Sequence, residues 1–90
     1  MHTRLASGTT LTNVEGKDVL FSVKSGDSYG LNETAARMLR LGLEMTLDEA
    51  VDRLTAEYGV EREEIRGDFE ELIQELVQLK FVQLVSGQGG

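Results

Sequence analysis

The sequence predicts an α+β domain, with a three-stranded antiparallel sheet followed by three α-helices. Three observations carry this. Residues 19–24, Val-Leu-Phe-Ser-Val-Lys, alternate in the period of a strand and have turn residues on either side. Asn32 and Thr46 each stand where a helix N-cap belongs, and Glu49 follows Thr46 by three residues to complete a capping box. Residues 61–80 repeat apolar side chains at helical spacing.

The elements follow in order. Residues 1–8 have no periodicity and are expected to form a flexible arm. Residues 9–14, rich in Thr with a Val, make the first strand, and Glu15-Gly16-Lys17 turns the chain. The second strand spans 19–24. Val19, Phe21 and Val23 are expected on its core face, with Leu20, Ser22 and Lys24 outward. Ser25-Gly26 is a second tight turn. The third strand, Asp27 to Leu31, runs directly into a helix at Asn32. As the last strand of a meander it should lie at the sheet edge, a template for a peptide strand from another molecule.

The first helix covers residues 32 to about 43, with Ala35, Met38 and Leu39 as its apolar stripe and Arg37 and Arg40 outside it. The second starts at Thr46 and places Leu47, Ala50, Val51, Leu54 and Tyr58 on one face, with Gly59 as its stop. The third runs from about Glu61 to Lys80, with Glu61, Glu63 and Glu64 at its positive end and Lys80 at its negative end. Its core stripe is Ile65, Phe69, Leu72, Leu76 and Leu79. Ile73 and Val77 fall to one side, beside Arg66 and Glu70. That extra strip either packs on the C-terminal segment or lines a groove. Gly67 costs roughly 1 kcal/mol relative to Ala inside a helix; either another chain approaches closely there or the glycine is neutral drift. Phe81 to Val85 extends against the body, and residues 86–90 form a flexible Gly-rich tail. Residues 9–85 are therefore one domain.

Composition narrows the function. The 90 residues carry a formal charge of −7 and no cysteine, so disulfides and thiolate metal sites are excluded. Up to Leu31 acids and bases balance at three each; beyond it there are 13 acids and 6 bases. An acidic helical half argues against nucleic acid, whose phosphates need a basic surface. No apolar run approaches the ~20 residues that span a bilayer, and no secretory signal opens the chain, so a soluble cytoplasmic protein is expected.

Nothing in the chain suggests catalysis. His2 is the single histidine and lies in the arm, without the partners a ligand cluster or catalytic base needs. There is no Gly-rich phosphate loop and no GxSxG. The carboxylates sit mainly on exposed helix faces, as solvated charge does. No enzyme activity, cofactor or metal is expected.

The run Tyr29-Gly30-Leu31-Asn32-Glu33-Thr34-Ala35 resembles the Y-x-L-N-x-T-A signature of the PqqD-like family. Thr46 to Val51 with Leu54 is similar to that family's second helix. Tyr58-Gly59-Val60, Asp68, Leu72, Leu76 and Leu79 are similar to the stretch up to and along its third. The likeness covers roughly residues 10–85. It departs where Gly42 is followed by Leu43-Glu44-Met45, and where Phe81 stands in place of a Gly after the last helix.

The resemblance implies a winged-helix-like, non-catalytic recognition element for ribosomally made, post-translationally modified peptides. It implies that the leader segment of a precursor peptide adds beside the third strand, in a groove walled by the third helix. A leader peptidase, cyclase or other modifying enzyme is then the second partner. A chain of this length is similar to the recognition component of lasso-peptide pathways, and equally to the peptide chaperone of the pyrroloquinoline-quinone pathway; the lasso type is favoured. The expected peptide-binding residues are Asp27, Ser28, Tyr29, Gly30 and Leu31 on the strand. On the helix they are Arg66, Phe69, Glu70, Ile73 and Val77, with the flank of Asp68 and Glu75 as the alternative.

Two other classes fit the chain less well. An acyl carrier is also small, acidic and helical, but its modified serine opens a helix, whereas Ser28 precedes Tyr29 in a strand. A winged-helix DNA binder would need a recognition helix without Glu61, Glu63, Glu64, Asp68, Glu70, Glu71 and Glu75.

Overall fold

The computed structural model describes residues 2–85. Its elements are β1 (His2–Leu5), β2 (Thr9–Val14), β3 (Lys17–Ser22), β4 (Ser28–Leu31), α1 (Glu33–Glu44), α2 (Leu47–Tyr58), α3 (Arg62–Gln78) and β5 (Val82–Val85). An antiparallel sheet runs in the order β2-β3-β4, and β1 pairs antiparallel with β5 in a second sheet. The α+β plan of three strands and three helices is thus observed, with the β1–β5 ribbon added.

That ribbon corrects the expectation of a loose arm. Thr3 lies opposite Leu84 and is buried, Arg4 donates from Nε to Gln83 Oε1 at 3.2 Å, and β1 packs on α1. Four residues carry too little pattern to announce a strand, and the partner lies about eighty residues away in sequence, outside any local window. The expected tail, residues 86–90, lies outside the described residues.

The β2–β3 connection is a two-residue hairpin. Glu15 and Gly16 both take positive φ, 51° and 85°, and Asn13 Oδ1 accepts the Gly16 N–H at 3.1 Å. Both central residues of a type I′ turn need this conformation.

The face of β3 is the reverse of the one expected. Leu20 is fully buried and Asp18 and Ser22 are buried, while Phe21 is 40 % and Val23 65 % exposed. Alternation says which residues share a face, not which face is inward. The polar members are satisfied locally, which removes the objection to burying them. Arg40 on α1 grips both oxygens of Asp18 at 2.9 Å, Asn13 donates to Oδ1 at 3.0 Å, and Ser22 Oγ accepts the Ser25 N–H at 3.3 Å. The Arg40 guanidinium, with Asn13 second, holds the Asp18 carboxyl below the ordinary carboxylate range. Val23 is past the end of the strand.

Each helix end has a physical cause. Asn32 caps α1, its Oδ1 accepting the Ala35 N–H at 2.7 Å. Thr46 and Glu49 form the capping box of α2, and Gly59 ends it in the left-handed conformation. α3 ends at Leu79 without a glycine. Lys80 takes φ 69°, its N–H reaches the Val77 carbonyl, and the Phe81 N–H reaches the Leu76 carbonyl, both at 2.9 Å. This is a Schellman motif with lysine in the place glycine usually fills. It turns the chain so that Phe81 and Val82 are buried.

The core gathers Leu20, Leu39, Val51, Leu54, Phe69 and Leu76, all buried, between the sheet and the helices. On α3 the buried stripe is Ile65, Phe69, Ile73 and Leu76. Leu72 is only partly buried and Leu79 is 48 % exposed. The helix is therefore turned toward Ile73, because α2 and β5 both pack on that side. Tyr58, at the end of α2, is exposed rather than part of its core face.

Candidate functional site

β4 has β3 on one side and no strand on the other among the described residues. Its register against β3 sets the two faces. Tyr29 lies opposite Leu20 and Leu31 opposite Asp18, facing inward; Ser28 lies opposite Phe21 and Gly30 opposite Val19, facing outward. The unpaired side of this short strand is a main-chain edge with one large inward side chain, Tyr29. Asp27 does not belong to it. Its carbonyl accepts the Ser22 N–H at 2.9 Å, and its own N–H goes to Ser25 Oγ at 3.3 Å, so its backbone closes the turn.

Tyr29 reaches across to α3. Its phenol donates to Glu75 Oε2 at 2.7 Å, and its ring tilts against Phe81 with centroids 5.9 Å apart. The Glu75 carboxylate, with burial second, pushes the phenol above its ordinary range. The flank of α3 turned to β4 is therefore the one bearing Glu75. At 100° per residue, Asp68, Leu72 and Leu79 share it, and Arg66, nine residues before Glu75, points the opposite way.

The structure accordingly brings Ser28, Tyr29, Gly30 and Leu31 together with the alternative helix flank, not with the favoured one. Phe69 and Ile73 are core, at 0 % and 3 % exposure, and have no surface to offer. Arg66 is bonded to Asp48 on α2 at 2.9 Å and to Glu70 at 3.3 Å. Arg66, Glu70 and Ile73 line a separate cleft of about 350 Å³ with Thr3, Asp48 and Leu84. Val77, 36 % exposed, shares that side by helical spacing. The strip that widened the apolar face of α3 packs toward β5 and α2, the plainer of the two alternatives.

Charge differs between the two flanks. On the Arg66 side, Arg62 and Arg66 neutralise Asp48, Asp52 and Glu70. On the β4 side, Glu64, Asp68, Glu71 and Glu75 enter none of the ion pairs among the described residues. The β4–α3 gap therefore joins a free strand edge, the ring of Tyr29, the partly exposed Leu72 and Leu79, and unneutralised carboxylates. Among the described residues no three His, Asp, Glu or Cys side chains gather to hold a metal, and no helix is long and apolar enough to cross a membrane.

The profile of the family described as "Coenzyme PQQ synthesis protein D (PqqD)" matches residues 18–82. The chain belongs to the PqqD family. The match runs from β3 to the start of β5, so both walls of the gap lie inside the part PqqD proteins share. Among solved structures, this PqqD chain is similar to "Lasso peptide synthetase B1 complexed with the leader peptide". The TM-score is 0.87 at 26 % identity, over 93 % of this chain and 100 % of that one. It is also similar in fold to "TbiB1 in Complex with the TbiA(beta) Leader Peptide", with a TM-score of 0.83 at 21 % identity, over 92 % and 98 % of the two chains. No curated protein sequence matches the chain significantly.

Leu72 and Leu79 are the wall residues that sequence reasoning assigned elsewhere, to the core. Their spacing places them with Asp68 and Glu75, so the flank itself was visible. What sets the rotation of the helix is the packing of β5 and α2.

Proposed function

We propose that this PqqD-family chain is a non-catalytic recognition protein. It binds the leader segment of a ribosomally made precursor peptide by strand addition beside β4 and presents it to a modifying enzyme of a lasso-peptide pathway. The observation that carries this is the free edge of β4 facing the Glu75 flank of α3, in a fold similar to a lasso peptide synthetase B1 complexed with its leader peptide. An added strand takes its main-chain bonds from the edge, and its alternate side chains point at α3. Ser28, Tyr29, Gly30 and Leu31 form one wall. Asp68, Leu72 and Leu79 form the other, and Glu75 on the same flank is bonded to Tyr29. The peptide supplies its own modification site and the partner enzyme the chemistry, so the chain needs neither nucleophile nor cofactor.

The carboxylates of Glu64, Asp68 and Glu71, which enter none of the ion pairs among the described residues, favour a leader with basic residues, while main-chain pairing and the apolar contacts to Tyr29, Leu72 and Leu79 supply most of the affinity. The test is a fluorescence-anisotropy titration with labelled synthetic leader segments of lasso-peptide and pyrroloquinoline-quinone precursors, at low and high salt, against scrambled controls. Saturable binding of a lasso-type leader is expected, weakened less than about tenfold by salt. Preference for the quinone-type leader would move the chain to that pathway. Binding lost altogether at high salt would mean a purely electrostatic partner.

A further inference from the structure

Tyr29 is fixed at two points, one on α3 and one just past its end. Its hydroxyl is bonded to Glu75 in the last turn of α3, and its ring rests on Phe81, which the Schellman motif at the end of α3 holds in the core. Tyr29 itself sits midway along β4, on the inward face. The Tyr29–Glu75 bond is also the hydrogen bond recorded between a β4 side chain and α3 among the described residues. The separation of strand edge and helix is thus gauged by one side chain.

We propose, resting on the peptide-binding function above, that the Tyr29–Glu75 bond is a strut that presets the width of the groove. Both are positioning residues. The bond keeps the α3 flank at the distance an added strand needs, so the peptide does not have to order the two walls against each other when it binds. Preorganisation of this kind raises affinity apart from any contact the Tyr29 ring makes with the peptide. Glu75 then acts through Tyr29, as acceptor for its phenol, rather than as a charge for the leader. The two roles make opposite demands on the chemistry. A strut needs a donor at position 29 and an acceptor at position 75, of any charge. A charge site needs the carboxylate and is indifferent to the phenol hydroxyl.

The experiment measures the affinity of the full chain for the labelled leader segment that wild type binds most tightly in the titration above. Tyr29→Phe and Glu75→Ala are each expected to weaken binding roughly five- to tenfold, the order of one exposed charge-assisted hydrogen bond. The double variant is expected to be no weaker than either single one, because both remove the same bond. Glu75→Gln keeps an acceptor for the phenol and should stay within about threefold of wild type. Urea melts of the four variants confirm that each is folded at the titration temperature. Two results overturn the strut while leaving peptide binding intact: Tyr29→Phe binding like wild type, or Glu75→Gln as weak as Glu75→Ala. Wild type that binds no leader segment overturns the binding function, and the strut falls with it.

Discussion

Gly42 shows how much a single atom can decide. It lies within α1, and a Cβ there would meet Phe69 Cζ at 2.9 Å and a second ring carbon at 3.3 Å. Phe69 is fully buried, so the ring has little room to yield. Ala is worth about 1 kcal/mol more than Gly inside a helix, but overpacking a filled core costs about 1–3 kcal/mol. Gly42→Ala should therefore destabilise the chain by about 1 kcal/mol in a urea melt, against helix propensity. A midpoint equal to or above wild type would show that the ring can turn aside. Sequence pattern alone could not weigh this residue, because its neighbour in space is 27 positions away on another helix. The same limit explains Asp18. Its partner, the Arg40 fork, is 22 positions away on α1.

At the scale of elements, local chemistry was legible and rotation was not. The Asn32 cap, the Thr46–Glu49 box and the Gly59 stop each depend on residues within a few positions, and each is where the sequence put it. The inward face of β3 and the rotation of α3 depend on what packs against them, and both differ from expectation. β1 and β5 define each other across the whole chain. The end of α3 is the element most open to improvement. Lys80 holds a left-handed conformation that costs a side-chain-bearing residue about 1–2 kcal/mol. Lys80→Gly relieves it, at some cost in unfolded-state entropy and in the favourable charge at the helix end. A net gain of about 0.5–1 kcal/mol is expected in thermal or urea melts. A loss would mean that the lysine side chain contributes more than the strain it carries.

At the scale of the molecule, the sheet and helices place the unpaired edge of β4 beside one flank of α3. The edge was legible in the sequence as the last strand of a meander, and the later strand, β5, pairs with β1 and leaves it free. Its opposing wall was legible only as two alternatives. Tyr29 and Glu75 meet because β4 and α3 are brought together by the core between them. The central claim is that a leader segment enters this gap as a strand. Amide hydrogen exchange of the full chain with and without saturating leader peptide tests it most directly. Added protection is predicted at residues 28–31 and along the Asp68–Leu79 stretch of α3. Protection confined to α2, or to the Arg66 side with β1 and β5, would contradict strand addition at β4.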